Sequence, residues 1–67
     1  MSAAEIRQQL KLLELERLEA EAAGLIECES YRRDLEQEME HCRSAFVGAA
    51  VSEIAQLRAR LWAPLAG

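Results

Sequence analysis

Three side chains in this sequence combine ligand or nucleophile chemistry: Cys28, His41 and Cys42. A closed zinc site asks for four ligands in short paired spacings, whereas His41 and Cys42 are chain neighbours and Cys28 stands fourteen residues before Cys42. Cys42 as a nucleophile needs a base and an oxyanion site inside a pocket, and a chain with hardly any loop has little from which to build one. The carboxylates Glu14, Glu16, Glu19 and Glu21, and again Glu36, Glu38 and Glu40, could form an acid/base pair or a cation site. On a helix, however, residues two apart point away from each other, so such runs make a solvated face. Glu36 and Glu40, one turn apart, repel slightly, which points to a basic partner nearby or to strain that the helix simply tolerates. The expectation is therefore no catalytic residue, no cofactor and no metal.

The elements that carry these residues are helices. Ala, Leu, Glu and Arg dominate, the aromatics are Tyr31, Phe46 and Trp62 alone, Pro64 is the single proline, and the glycines are Gly24, Gly48 and Gly67. Such composition favours long helices and leaves room for few turns. Ser2-Ala3-Ala4-Glu5 fits a capping box, in which the serine oxygen takes one free backbone N–H and the glutamate reaches back to another. A first helix is predicted from about residue 3 to 23. Gly24-Leu25-Ile26 forms the turn, with Gly24 offering the left-handed geometry that closes helices. Glu27 and Glu29 then favour the start of a second helix, from about 28 to 62, just before Pro64.

The second helix has apolar positions at Cys28, Tyr31, Leu35, Met39, Cys42, Phe46, Ala50, Ile54, Leu57 and Leu61, a mean spacing near 3.67 residues. That is the period of an undistorted helix rather than of a tight left-handed coiled coil. The first helix carries two stripes, Ile6, Leu10, Leu13 and Ala20 on one side and Leu12, Leu15, Leu18 and Ala22 on another. One can pack on the second helix and the other on a neighbouring chain. A rival arrangement breaks the second helix at Gly48 and folds residues 49 to 62 back into a three-helix monomer. Against it, a glycine costs a helix only about 1 kcal/mol, and its neighbours are not loop residues.

The fold class expected is all-α: an antiparallel hairpin of a short and a long helix, one domain over residues 1–67, assembling into an oligomeric bundle. The inequality of the helices makes the assembly. Folded back, the first helix shields the second only to about Ala50, leaving Val51, Ile54, Leu57, Leu61 and Trp62 projecting. The run from Ser44 to Val51 carries no charge, and the small residues Ala45, Gly48, Ala49 and Ser52 let two backbones approach. The self-association residues expected are Phe46, Gly48, Ala49, Val51, Ile54, Leu57, Leu61 and Trp62, giving a dimer or a higher homo-oligomer. Trp62 is the strongest anchor by residue type, or else a core residue at the helix end. A 67-residue chain buries too little surface to be stable comfortably alone, which points the same way.

Charge excludes other classes. Residues 1 to 41 hold eleven acids against five bases, and residues 42 to 67 hold one acid against three bases. Only Arg32-Arg33 and Arg58-Ala-Arg60 approach the basic face that binding to nucleic acid demands, so direct nucleic-acid binding by this chain is not expected. No uncharged run reaches half a membrane span, and no secretory start is present, so a cytoplasmic protein with no membrane partner is expected. The two cysteines are then read as reduced thiols, with a disulfide between chains as the alternative.

The turn and the tail together resemble the C-terminal helical region of the small subunit of bacteriophage terminase, of the lambda-like type used for DNA packaging. The matching residues are Gly24, Leu25 and Ile26 at the turn, Arg58 and Leu61 late in the second helix, and Ala63, Pro64, Leu65, Ala66 and Gly67 at the end. The family's winged helix-turn-helix has no counterpart in these residues, and Trp62 is bulkier than that position usually holds. The resemblance implies a non-catalytic oligomerisation hairpin in the host bacterial cytoplasm, with the large ATPase-nuclease subunit as a further partner. The other function in view is a small acidic inhibitor or regulator that binds a host or phage nucleic-acid enzyme.

Overall fold

The computed structural model describes the backbone of residues 1–66 and the side chains of residues 1–62. The chain forms helix α1 over Ala3–Ala22, a single 3-10 turn over Leu25–Glu27, and helix α2 over Glu29–Ala66. The two α-helices pack against each other as a hairpin. Among the described residues no strand is present.

Helix α1 begins as a serine cap, but the glutamate of the capping box does something else. Ser2 Oγ accepts the Glu5 N–H at 3.2 Å, as expected. The Glu5 carboxylate accepts the Ser2 hydroxyl at 3.1 Å instead of reaching back to a backbone N–H. The Ala3 N–H, one of the donors a first turn leaves free, is taken by Glu53 Oε1 of α2 at 2.9 Å. A bond between residues fifty apart thus serves a first-turn donor that the capping box does not reach, and fixes where the start of α1 meets α2.

Gly24 ends α1 with φ +77°, the only left-handed residue described, and its N–H donates to the Glu21 carbonyl at 3.2 Å. An added Cβ at Gly24 would meet nothing within 4 Å, so backbone strain alone opposes a side chain there. Gly24→Ala is expected to lower stability by about 1–2 kcal/mol, the ordinary left-handed penalty, in urea unfolding followed by circular dichroism. Unchanged stability would mean that the turn relaxes to another geometry. Glu27 belongs to the 3-10 turn, and Glu29 opens α2.

Helix α2 passes through Gly48 without a break, so the three-helix arrangement is not formed. It also continues to Ala66, four residues beyond the predicted stop at residue 62. Proline has no N–H to give to the carbonyl four residues before it, so the last turn of α2 is held by fewer backbone bonds than the turns before it. The tail residues Ala63, Pro64, Leu65, Ala66 and Gly67 of the family resemblance lie outside the described side chains.

Between the helices lies a narrow core. Ala3, Ile6 and Ala20 of α1 and Leu35 and Met39 of α2 are buried, flanked by half-buried Leu10, Leu13, Tyr31, Cys42, Phe46, Ala49 and Ala50. The inward stripe of α1 is therefore Ile6, Leu10, Leu13 and Ala20. The other, Leu12, Leu15 and Leu18, is 57–61% exposed. The molecule measures 60 × 16 × 12 Å, and its radius of gyration of 17.4 Å far exceeds the roughly 11 Å of a compact domain of this length.

Candidate self-association surface

The surface is built from a difference in length. Twenty residues of α1 face thirty-eight of α2, which at about 1.5 Å per residue are rods of roughly 30 and 57 Å. The start of α1 is clasped to Glu53, and among the described side chains Ala50 is the last on α2 even half-buried; from Val51 to Trp62 every residue is exposed. Val51, Ile54, Leu57, Leu61 and Trp62 are between 51% and 67% exposed on this arm, and Val47 joins them from within the hairpin.

Of the other residues in the expected surface, Gly48 is exposed, whereas Phe46 and Ala49 are half-buried. Phe46 lies on the face of α2 turned to α1, as its spacing from Leu35, Met39 and Cys42 requires, and so belongs in part to the hairpin's own core. A Cβ built on Gly48 meets nothing within 4 Å, so no neighbour in the chain requires a glycine there. At the turn, Gly24 and Leu25 are exposed and Ile26 is half-buried.

Polar cross-links between the helices are few. Tyr31 donates its hydroxyl to Glu16 Oε2 at 2.7 Å, and the Cys42 thiol donates to the Ile6 carbonyl at 3.5 Å. The Arg17–Glu21, Arg33–Glu29 and Arg43–Glu40 pairs are exposed contacts within single helices and contribute little. Bonding to Glu16, then partial burial and the negative charges of Glu16 and Glu38, raise the Tyr31 hydroxyl above its ordinary value of 10.0. With the folded value above the unfolded one, the stabilisation from this bond is complete below about pH 10 and is lost as pH rises through the raised value. Near-ultraviolet absorbance should show Tyr31 ionising later than free tyrosine, with Glu16→Gln moving the midpoint back down. A midpoint indifferent to that substitution would show that the bond does not form in solution.

The chemically active side chains do not converge. Cys28 is exposed at the turn, its thiol lowered by the Ser30 hydroxyl first and the Tyr31 backbone next. Cys42 and His41 lie further along α2, beside an open groove of about 510 Å³ that Leu12, Leu13 and Met1 also line. Among the described residues no three His, Cys, Asp or Glu side chains stand close enough to hold a metal. No helix among them is long and apolar enough to cross a membrane.

The fold and its surface thus define an all-helical, two-helix hairpin with an uncovered apolar arm. No protein-family model matches the chain, and no characterised protein or solved structure does so either.

Proposed function

We propose that this chain is a non-catalytic self-association module whose contact surface is the projecting arm of α2. The observation that supports it is the exposure of every residue from Val51 to Trp62, five of them large and apolar. Removing apolar area from water stabilises by about 25 cal/mol per Å², so covering several such side chains rivals the whole stability of a small domain. The biological setting that fits is phage DNA packaging, in the manner of a terminase small subunit, on the strength of Gly24-Leu25-Ile26, Arg58, Leu61 and the tail. In that setting the copies are arranged by this hairpin, and the large subunit is a further partner. Light scattering over a range of concentrations tests the reading: masses at multiples of 7.5 kDa are expected, and a chain that stays monomeric at high concentration refutes it.

A second reading is supported by the outer stripe of α1. Leu12, Leu15 and Leu18 are exposed and interleaved with Glu14, Glu16 and Glu19, a pattern suited to an apolar groove with a basic rim. It makes the chain an acidic regulator of a nucleic-acid enzyme. Pull-down from lysate tests it: recovery of such an enzyme, lost in Leu15→Glu, supports this reading, and recovery unaffected by that substitution counts against it.

A further inference from the structure

We infer that two copies pair end to end, with their arms antiparallel about a two-fold axis near residue 56, so that the acidic hairpins lie at opposite poles. The inference rests on self-association through the arm and adds the direction and register of the pairing.

The first support is area. The chain exposes 5393 Å², whereas a compact monomer of 7.5 kDa exposes about 4,250 Å². The surplus, roughly 1,100 Å², is of the size that one partner contributes to a stable interface, about 800 Å². The second support is where the apolar side chains lie. Among the described side chains those of the arm run from Val51 to Trp62, and the midpoint of that stretch is near residue 56. Antiparallel pairing about that point sets Val51 opposite Leu61 and Ile54 beside Leu57, each twice, as a two-fold contact requires. It also carries Trp62 of the second copy to the level of Ala50, beside exposed Val47 and Gly48. The open space over Gly48, which nothing in its own chain occupies, then admits a close helix.

The third support is charge, and it selects the direction. Residues 1 to 41 of each copy carry six more acids than bases. Parallel pairing places two such hairpins side by side, close enough that salt screens their repulsion only in part. Antiparallel pairing separates their centres by about 48 Å, several Debye lengths at physiological salt. The arm itself, with Glu53, Arg58 and Arg60, has little charge to overcome.

Small-angle X-ray scattering with light scattering on the unaltered chain tests this. The expected result is twice the mass of one chain with a longest dimension of about 90 Å, since two copies of α2 then overlap only through their last twenty or so residues. A dimer no longer than about 60 Å would overturn antiparallel pairing while leaving self-association standing, and a monomer would overturn both. Higher assemblies are resolved by spin labels on Arg43→Cys in a Cys28→Ser, Cys42→Ser background. A separation of about 40 Å supports the antiparallel arms, and one of about 10–20 Å refutes them.

Discussion

Replacing Ile54 and Leu57 together with glutamate is expected to disperse the assembly into single chains while leaving the hairpin folded. Both side chains are at least half exposed in the single chain, so within one copy they give up little on substitution. Across a symmetric contact each loses a burial worth about 1.5–3 kcal/mol, and each substitution acts twice. Since each side chain is already about half covered in its own chain, the four lost burials come to about 3–6 kcal/mol and weaken association by roughly 10²–10⁴-fold, before any cost of placing carboxylates in the contact. Sedimentation velocity should show monomers at concentrations where the parent chain is assembled, with helical circular dichroism retained below the melting transition. A double variant that sediments like the parent would move the contact away from the arm. Phe46→Glu is a poorer probe for the same purpose. Phe46 is half-buried in its own chain, and a charge there destabilises the hairpin as well as any contact beyond it.

The second large effect is on folding. Leu35 is only 3% exposed, and it is one of five buried residues among those described. Leu35→Ala removes about 2–5 kcal/mol, against a total stability of roughly 3–10 kcal/mol for a chain of this length. Leu35→Asp adds a carboxylate with no partner in an apolar strip and is expected to abolish cooperative unfolding altogether. Thermal melts followed by circular dichroism check both, with the alanine variant melting lower and the aspartate variant showing a broad loss of helix without a transition. If Leu35→Asp melted like the parent, the strip between α1 and α2 would not be the core. The two experiments separate two surfaces of one helix, since Leu35 faces α1 and Ile54 faces nothing in its own chain.

Much of this architecture is local and therefore readable from composition and spacing. Ser2 stops the chain from extending α1 backwards, Gly24 ends it, and each acts through atoms within one turn of itself. The helical spacing through Leu35, Met39, Cys42, Phe46 and Ala50 describes the face that α1 covers, because a helix repeats its faces every three to four residues whatever it packs on. The end of cover near Ala50 also follows from arithmetic, given two helices of unequal length joined by a short turn. Two signals misled in detail. Glu27 has the charge of a helix start but lies in the 3-10 turn, and Pro64 reads as a stop although the backbone stays helical to Ala66.

What the sequence determined by itself is the kind of element, the site of reversal and the surplus length of α2, since each depends on residues near one another in the chain. Only the tertiary structure decided which stripe of α1 turns inward, and it chose Ile6, Leu10, Leu13 and Ala20 over Leu12, Leu15 and Leu18. It also decided that Glu53 receives the Ala3 N–H, and that Phe46 belongs partly to the hairpin core. The physical reason is that these outcomes depend on the rotation of one helix about its axis relative to the other. That rotation is set jointly by the left-handed turn at Gly24 and by contacts between residues fifteen to fifty positions apart, and neither apolar stripe carries a local mark of which way it will face.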